Sequence, residues 1–267
     1  MKRIVVFLAI LVMVLTACAS REKKPLELPE KADNSGDRVV LYLDNRGLFP
    51  ISFSVDGKQM IENGTYWYYE LNRIPSFEKK ETFYIYDVDS KQPIEKTEYS
   101  ELDEKSGFAT NGEWTLFLRP VHTEYAASNQ DLVDERFVEM TKKQLAANKV
   151  EDAAAIVSDV WECDIDGDGT AEHFFKACNC DISVEKRKST YCFLGYTDGE
   201  ECQVLYGYYS SKAEKAGSRF KTLEPIVCDL NGQGKWSVMV FKQSSYACMT
   251  VYDFNNGNFS KNYEIVF

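Results

Sequence analysis

Val160-Trp161-Glu162-Cys163-Asp164-Ile165-Asp166-Gly167-Asp168-Gly169-Thr170-Ala171-Glu172-His173-Phe174-Phe175 joins two apolar runs through a loop dense in aspartate and glycine. Ile156, Val157, Val160 and Trp161 precede the loop and Phe174 and Phe175 follow it, which predicts strand-loop-strand. With Asp164 as position 1, positions 3 and 5 are Asp166 and Asp168. Gly169 at position 6 permits a turn that an L-residue resists. Thr170 at position 7 offers a backbone carbonyl, and Glu172 at position 9 a direct or water-mediated carboxylate. Ca²⁺ takes about six to eight oxygen ligands in a flexible shell, and one short acidic loop can supply most of them. The first half of an EF-hand loop has this spacing, but position 12 is Phe175 rather than a bidentate Glu, and the flanks are not helical. The bland alternative is an Asp/Gly turn with no ion, in which four clustered carboxylates repel one another uncompensated.

Asp229-Leu230-Asn231-Gly232-Gln233-Gly234-Lys235-Trp236-Ser237 echoes this loop 65 residues later, from 164 to 229. Both loops follow a cysteine, Cys163 or Cys228, and both lead into an apolar run, here Val238 to Phe241. This predicts a second copy of one supersecondary unit. Its metal positions are eroded: Asp229 remains, Asn231 and Gln233 stand at positions 3 and 5, and Ser237 at position 9. The copy is expected to keep the turn and to have lost most metal affinity.

The D-x-D-x-D-G-x-x-E pattern leading into a strand resembles the calcium loops of integrin-type and VCBS-type repeats. An amphipathic helix, such a strand-loop-strand and a degenerate D-L-N-G copy together are similar to uncharacterised lipoproteins of Gram-positive bacteria. The resemblance covers about residues 131–267. It implies one structural Ca²⁺ held by Asp164, Asp166, Asp168, the Thr170 carbonyl and Glu172. The second copy departs at Gln233 and Ser237. Two copies fall short of a closed propeller, which needs at least about four blades.

Working outward, residues 128–148 predict one helix. Val133, Phe137, Met140 and nearby Leu145 give a narrow apolar face. Ser128, Asn129 or Asp131 is the expected cap, and Lys142, Lys143 and Lys149 suit the C-terminal end. Beyond the loops, hairpins are expected over Tyr191 to Tyr209, turning at Asp198-Gly199, and over Ala247 to Phe267, turning near Asn255-Asn256-Gly257. The first turn puts Cys192 opposite Leu205 and Cys202 opposite Gly195, so those cysteines point to opposite faces and are not expected to bond. Cys163, Cys178, Cys180, Cys192, Cys202, Cys228 and Cys248 number seven, so at least one stays free or pairs between chains. Cys163 and Cys228, at matching repeat positions, are expected to face a shared core. Cys178-Asn179-Cys180 has no second pair at zinc-ligand spacing.

On the N-terminal side, residues 38–125 read as mainly β. Strands are expected at Val39–Leu43, Ile51–Val55 (ending at an Asp56-Gly57 turn), Thr65–Tyr69, Thr82–Tyr86 and Trp114–Leu118, with a charged, loop-rich Asp87 to Lys105. The aromatics around Trp67 could stack on a sugar, but a β core or cross-strand ladder explains them more simply. The fold class is therefore mainly β or α+β: a sandwich-like or barrel-like β domain over 38–125, then a sheet domain with one packed helix over 128–267.

Residues 1–17 have the form of a signal peptide, with Lys2 and Arg3 ahead of an apolar Ile4 to Leu15 that is too short to span a bilayer. Leu15-Thr16-Ala17-Cys18 looks like a bacterial lipobox, making Cys18 the expected site of diacylglyceryl attachment. Residues 18–37 then read as a flexible tether. Lipid chains add about 0.8 kcal/mol per buried CH₂, enough to hold a soluble domain at the outer face of a cell membrane. The formal charge is −11, and −13 once Lys2 and Arg3 leave with the leader, which disfavours a nucleic-acid partner. No G-x-S-x-G, H-E-x-x-H or phosphate-binding glycine loop is present. The expected function is a lipid-anchored extracytoplasmic binding or interaction module with a surface protein or glycan as partner. The alternative is an extracytoplasmic hydrolase acting on cell-wall or carbohydrate substrates through carboxylates.

Overall fold

A computed structural model describes residues 38–44, 47–55, 58–59, 82–87, 93–112, 114–150, 152–199, 201–213, 223–243 and 247–266. The expected leader, Cys18, the tether, the Asp56-Gly57 turn and the strand around Trp67 lie outside them. The described chain is mainly β, in three sheets whose strand pairings are all antiparallel, with one packed α-helix.

The first sheet contains β1 (Arg38–Asp44), β2 (Gly47–Val55), β3 (Lys58–Gln59), β4 (Thr82–Tyr86), β5 (Glu95–Glu98) and β6 (Gly107–Thr110), in the order β3-β2-β1-β6-β4-β5. The expected loop-rich segment is more regular over its described residues 93–105 than its charge suggests. β5 is an edge strand, and a 3₁₀ turn over Tyr99–Glu104 follows it. Charged residues suit an edge because they discourage further pairing, and Thr97 is the one fully buried residue of β5.

The middle sheet is β7 (Phe117–Leu118), β13 (Pro225–Cys228), β14 (Ser237–Gln243), β15 (Ala247–Asn255) and β16 (Asn258–Val266), and the outer sheet is β8 (Val121–Glu124), β9 (Val157–Cys163), β10 (Glu172–Cys178), β11 (Thr190–Thr197) and β12 (Gln203–Ser210). Each of these two sheets is a four-strand meander plus an edge strand donated by residues 117–124. β7 pairs with β13 and β8 with β9, so strands from before residue 125 complete sheets built from beyond it. Of the expected Trp114–Leu118 strand only Phe117 and Leu118 join a ladder. Trp114 instead turns inward, fully buried, its indole N–H donating to the Asp229 carbonyl at 3.1 Å.

The sheets stack face to face. Val40, Tyr84, Tyr86 and Phe108 of the first sheet meet Met239, Met249, Val251 and Tyr263 of the middle one. On its other face the middle sheet packs Val227, Val238, Val240 and Phe259 against Trp161, Phe174, Leu194 and Tyr196 of the outer sheet. Covered on both faces, β14 buries Val238, Met239 and Val240 in succession, which is why its sequence runs apolar without alternating. β1 is likewise covered on both faces, with Val40 in the stack and Val39, Leu41 and Leu43 turned away from it under Leu102 of the 3₁₀ turn.

Helix α1 (Glu135–Ala147) lies on the far face of the outer sheet, where Phe137, Met140 and Leu145 pack on Phe175, Ala177 and Phe193. Its cap is Asp134, which accepts from the Arg136 amide at 2.9 Å, rather than Ser128, Asn129 or Asp131. The chain from Gln130 to Leu132 forms a 3₁₀ turn and Val133 is extended, so the helix cannot begin earlier. Gln130 is held away by both its amide groups, which bond the Val157 amide and carbonyl at 2.8 and 2.9 Å. At the C-terminal end Val150 N–H donates to the Leu145 carbonyl and Lys149 N–H to that of Ala146. This is a Schellman closure, with Lys149 at φ +59° where glycine is the usual choice.

The hairpin at Asn256-Gly257 forms as expected, with both residues at positive φ (+50° and +78°). The Asp198-Gly199 hairpin does not keep a two-residue turn. Cys192 faces Tyr208 rather than Leu205, and Gly195 faces Val204 after a bulge at Leu194/Gly195. A Cβ on Gly195 would lie 2.7 Å from the Phe175 ring and 2.8 Å from Cys202 Sγ, so the strand kinks where Cys202 folds over it. Cys192 still points into the middle sheet and Cys202 toward the helix side.

Cys163 and Cys228 do not share a core. Cys163 lies between the outer and middle sheets and Cys228 between the middle and first. Ile165 and Leu230, and Phe174 and Met239, follow the same rule. The two meanders are stacked in one orientation, so matching residues look in the same direction instead of at each other.

Candidate metal centre

The loop 164–171 joins β9 to β10 at one end of the outer sheet. Cys163 and Glu172 are register partners at its mouth. Gly167 and Gly169 both take positive φ (+78° and +89°), bending the loop back on itself. The Gly167 and Gly169 amides donate to the two oxygens of Asp164 at 2.7 and 3.0 Å. The Asp168 amide donates to Asp166 at 3.0 Å, and the Thr170 amide to Asp168 at 2.6 Å. Glu172 reaches back to accept from the Ile165 amide at 2.7 Å.

These contacts place one oxygen from each of Asp164, Asp166, Asp168 and Glu172 within 4.8 Å of one another. Opposite ligands of an ion with about 2.4 Å metal–oxygen bonds are about 4.8 Å apart, so the cluster matches one coordination sphere. The four sequence-predicted carboxylates are thus brought together, and the cluster could hold a metal ion. Its donors are all oxygen, the chemistry of a hard cation. Asp166 and Asp168 are exposed, Asp164 is half-buried and Glu172 is buried. Burial raises the Glu172 pKa; the Ile165 amide opposes this, and the charges of Asp166 and Asp164 add to it. The hydroxyl of Tyr196, on the inner face of β11, is buried with no hydrogen-bond partner among the described residues. Its pKa is raised, first by burial and then by the negative charge of Glu172.

The second loop keeps the backbone and not the chemistry. Gly232 and Gly234 match Gly167 and Gly169 in position and in positive φ (+61° and +71°). Asp229 accepts from the amides of Asn231 and Gln233, both at 3.2 Å, and from Gly234 at 2.6 Å. Ser237, in the place of Glu172, donates instead to Asp253 at 3.1 Å. Arg38 of β1 donates to the Asn231 carbonyl and lies 6.0 Å from the Trp114 ring centroid. The second loop therefore serves as a joint between the first and middle sheets. That contact spans 193 residues of chain, and no local signal announces it.

The two histidines have structural surroundings. His122 stacks on Trp161 with centroids 4.9 Å apart and bonds Asp159 at 3.0 Å. His173 bonds Arg136 at 3.1 Å.

Fold and site together define a stacked antiparallel β protein with a surface acidic loop suited to a metal ion. Comparison with protein-family models, curated proteins and solved structures found no match.

Proposed function

We propose that this protein is a lipid-anchored extracytoplasmic binding module, tethered through Cys18 and stiffened by a single structural Ca²⁺. The observation that carries the reading is the convergence of four carboxylates from one nine-residue segment. Asp164, Asp166, Asp168 and Glu172 supply side-chain oxygens and Thr170 its backbone carbonyl. An ion there supplies positive charge that offsets carboxylate repulsion and cross-braces the β9–β10 connection. Calcium suits this donor set better than magnesium, which keeps several waters and usually takes only one or two carboxylates. The Asp-rich loop stands at a sheet end and the helix covers the sheet's far face, so the ion's role is to fix the shape of a loop surface, not to perform chemistry. A surface protein or a glycan is the partner class this reading assigns.

Thermal unfolding of residues 21–267 in millimolar calcium and then in chelator tests the metal. A midpoint that rises with calcium, and does not in Asp166→Ala or Asp168→Ala, supports the site, whereas no shift up to about 10 mM removes it. Membrane fractionation of cells expressing the full chain and Cys18→Ser tests the anchor. The variant moving to the soluble fraction supports lipidation, and equal membrane retention of both refutes it.

A further inference from the structure

Three thiols meet at the end of β10 away from the acidic loop. Cys178 closes β10, and its register partner on β11 is Cys192. The Asn179 amide donates to the Tyr191 carbonyl at 3.2 Å. Cys178 and Cys192 are therefore a non-hydrogen-bonded antiparallel pair, the kind whose Cα atoms are only about 4.5 Å apart and whose side chains approach most closely. That spacing lies within the range a disulfide bridges. Cys180, two residues after Cys178, directs its Sγ to the Tyr191 carbonyl at 3.6 Å. Cys180 packs against the same buried cluster that holds Cys178 and Cys192. Cys178 and Cys192 are buried, while Cys180 is partly open to solvent.

The turn carrying Cys180 is held from both sides. Arg187 donates to the carbonyls of Asn179, Cys180 and Ile182 at 3.0, 2.8 and 2.7 Å. The buried Asn179 side chain donates to the Ser189 carbonyl at 2.9 Å and accepts from the Tyr191 amide at 3.0 Å. An ordinary surface turn does not need this fixing. Here it holds one accessible sulfur against two buried ones.

We propose that Cys178, Cys180 and Cys192 form a thiol–disulfide exchange site for small-molecule disulfides, with Cys180 as the entry thiol and a Cys178–Cys192 disulfide as the product. The Cys180 thiolate attacks one sulfur of R–S–S–R. That bond breaks, and the departing R–S⁻ takes up the proton Cys180 released. Cys178, deprotonated, attacks Cys180 Sγ and expels the second R–S⁻, which is protonated in turn. Cys192, deprotonated, then attacks Cys178 Sγ, closing the cross-strand disulfide and returning Cys180 as thiolate. One disulfide is reduced to two thiols while Cys178 and Cys192 are oxidised. Nucleophilic attack needs a thiolate. The neighbouring Cys178 and Cys192 thiols, with the Arg187 charge nearby, lower the Cys180 pKa against the opposing effect of burial. The thiols of Cys163, Cys202, Cys228 and Cys248 are all pushed upward, chiefly by burial.

The thiol site is independent of the calcium loop and of the lipid anchor. Its test uses the reduced, folded full chain with oxidised glutathione as probe, followed by alkylation and peptide mapping. The expected result is loss of the Cys178 and Cys192 thiols to a mutual disulfide, slowed about tenfold or more in Cys180→Ser. In wild type, alkylation at about pH 6 should label Cys180 at least about tenfold faster than Cys202 or Cys248. Oxidation of Cys180→Ser at the wild-type rate, a disulfide between other cysteines, or equal labelling of Cys180, Cys202 and Cys248 overturns the proposal. The wild-type measurements need no substitution, so a folding defect in a variant cannot mask the outcome.

Discussion

Replacing Asp166 and Asp168 together by asparagine separates a metal loop from a mere turn. Each carboxylate accepts one backbone amide, from Asp168 at 3.0 Å and from Thr170 at 2.6 Å. An asparagine carbonyl can accept either bond, so the turn survives. Two negative charges leave a cluster of four, so in chelator the variant should be as stable as wild type or slightly more so. With calcium the order should reverse. Extracellular calcium modules bind at about 10⁻⁴–10⁻³ M, so about 10 mM calcium is ten to one hundred times Kd. Binding to the folded state alone then adds about 1.4–2.7 kcal/mol. For a domain of this size, that moves the midpoint by about 3–10 °C. The double variant loses two of the four carboxylates and should show less than about a third of that increment. Scanning calorimetry at matched ionic strength, with magnesium as control, reads both. An equal calcium increment in variant and wild type, or a chelated variant well below chelated wild type, would refute the reasoning.

Asp164→Asn should behave differently, because Asp164 accepts amides on both oxygens; it should cost about 1–2 kcal/mol even in chelator, read from urea midpoints. Asp229→Asn removes an acceptor from a buried three-amide network and should cost about 2–3 kcal/mol, independently of calcium. Gly195→Ala should cost about 1–3 kcal/mol in a urea melt, since the added methyl meets the Phe175 ring at 2.7 Å. Burial alone would raise the Glu264 pKa, but Lys242, Thr250 and Lys261 together hold it below the ordinary 4.5. Its contribution is therefore present above the ordinary value and lost as pH falls through the lower folded one; a pH series of melts should show Glu264→Gln losing that part of the acid slope.

Period and residue type made individual strands legible. The alternation of Ile51 to Val55 in β2, the apolar run of β14 and the Asn256-Gly257 turn each carry their own signal. The mutual stacking was not legible, because alternation says which residues share a face and not what covers it. Cys163 and Cys228 show this well. Their matching positions were visible, but whether two copies face each other or follow each other depends on sheet packing. The helix start was not legible because three good capping residues precede Asp134, and the Gln130 contact with Val157 that excludes them is tertiary. Lys149 in a left-handed closure and Arg38 on the Asn231 carbonyl have no sequence signature. The acidic cluster was legible because all four carboxylates lie in one loop whose glycines fix its course. The thiol cluster was only half visible. Cys178-Asn179-Cys180 could be read directly, but Cys192 joins it through the β10–β11 register, which no turn signal between residues 179 and 189 announces.

The two loops differ in whether they carry a full acidic cluster. Their backbones agree at both glycines and at the first aspartate, so geometry does not distinguish them. Position in the stack does. The outer-sheet loop exposes Asp166 and Asp168 to water, where carboxylates stay hydrated whether or not an ion is bound. The middle-sheet loop sits beneath Arg38 and Trp114, with Asp229 and Leu230 each only 2% exposed. Positions 1 and 3 are each more buried here than in the outer loop, Asp229 against Asp164 and Asn231 against Asp166, while position 5 is exposed in both. A carboxylate at position 3 would have to be partly desolvated beside the buried Asp229, at a cost of several kcal/mol if unpaired. Asn231 avoids that cost, and the single remaining charge of Asp229 is satisfied by three amides. The second loop thus retains the part of the design that folds the chain and lacks most of the carboxylates that could hold a cation.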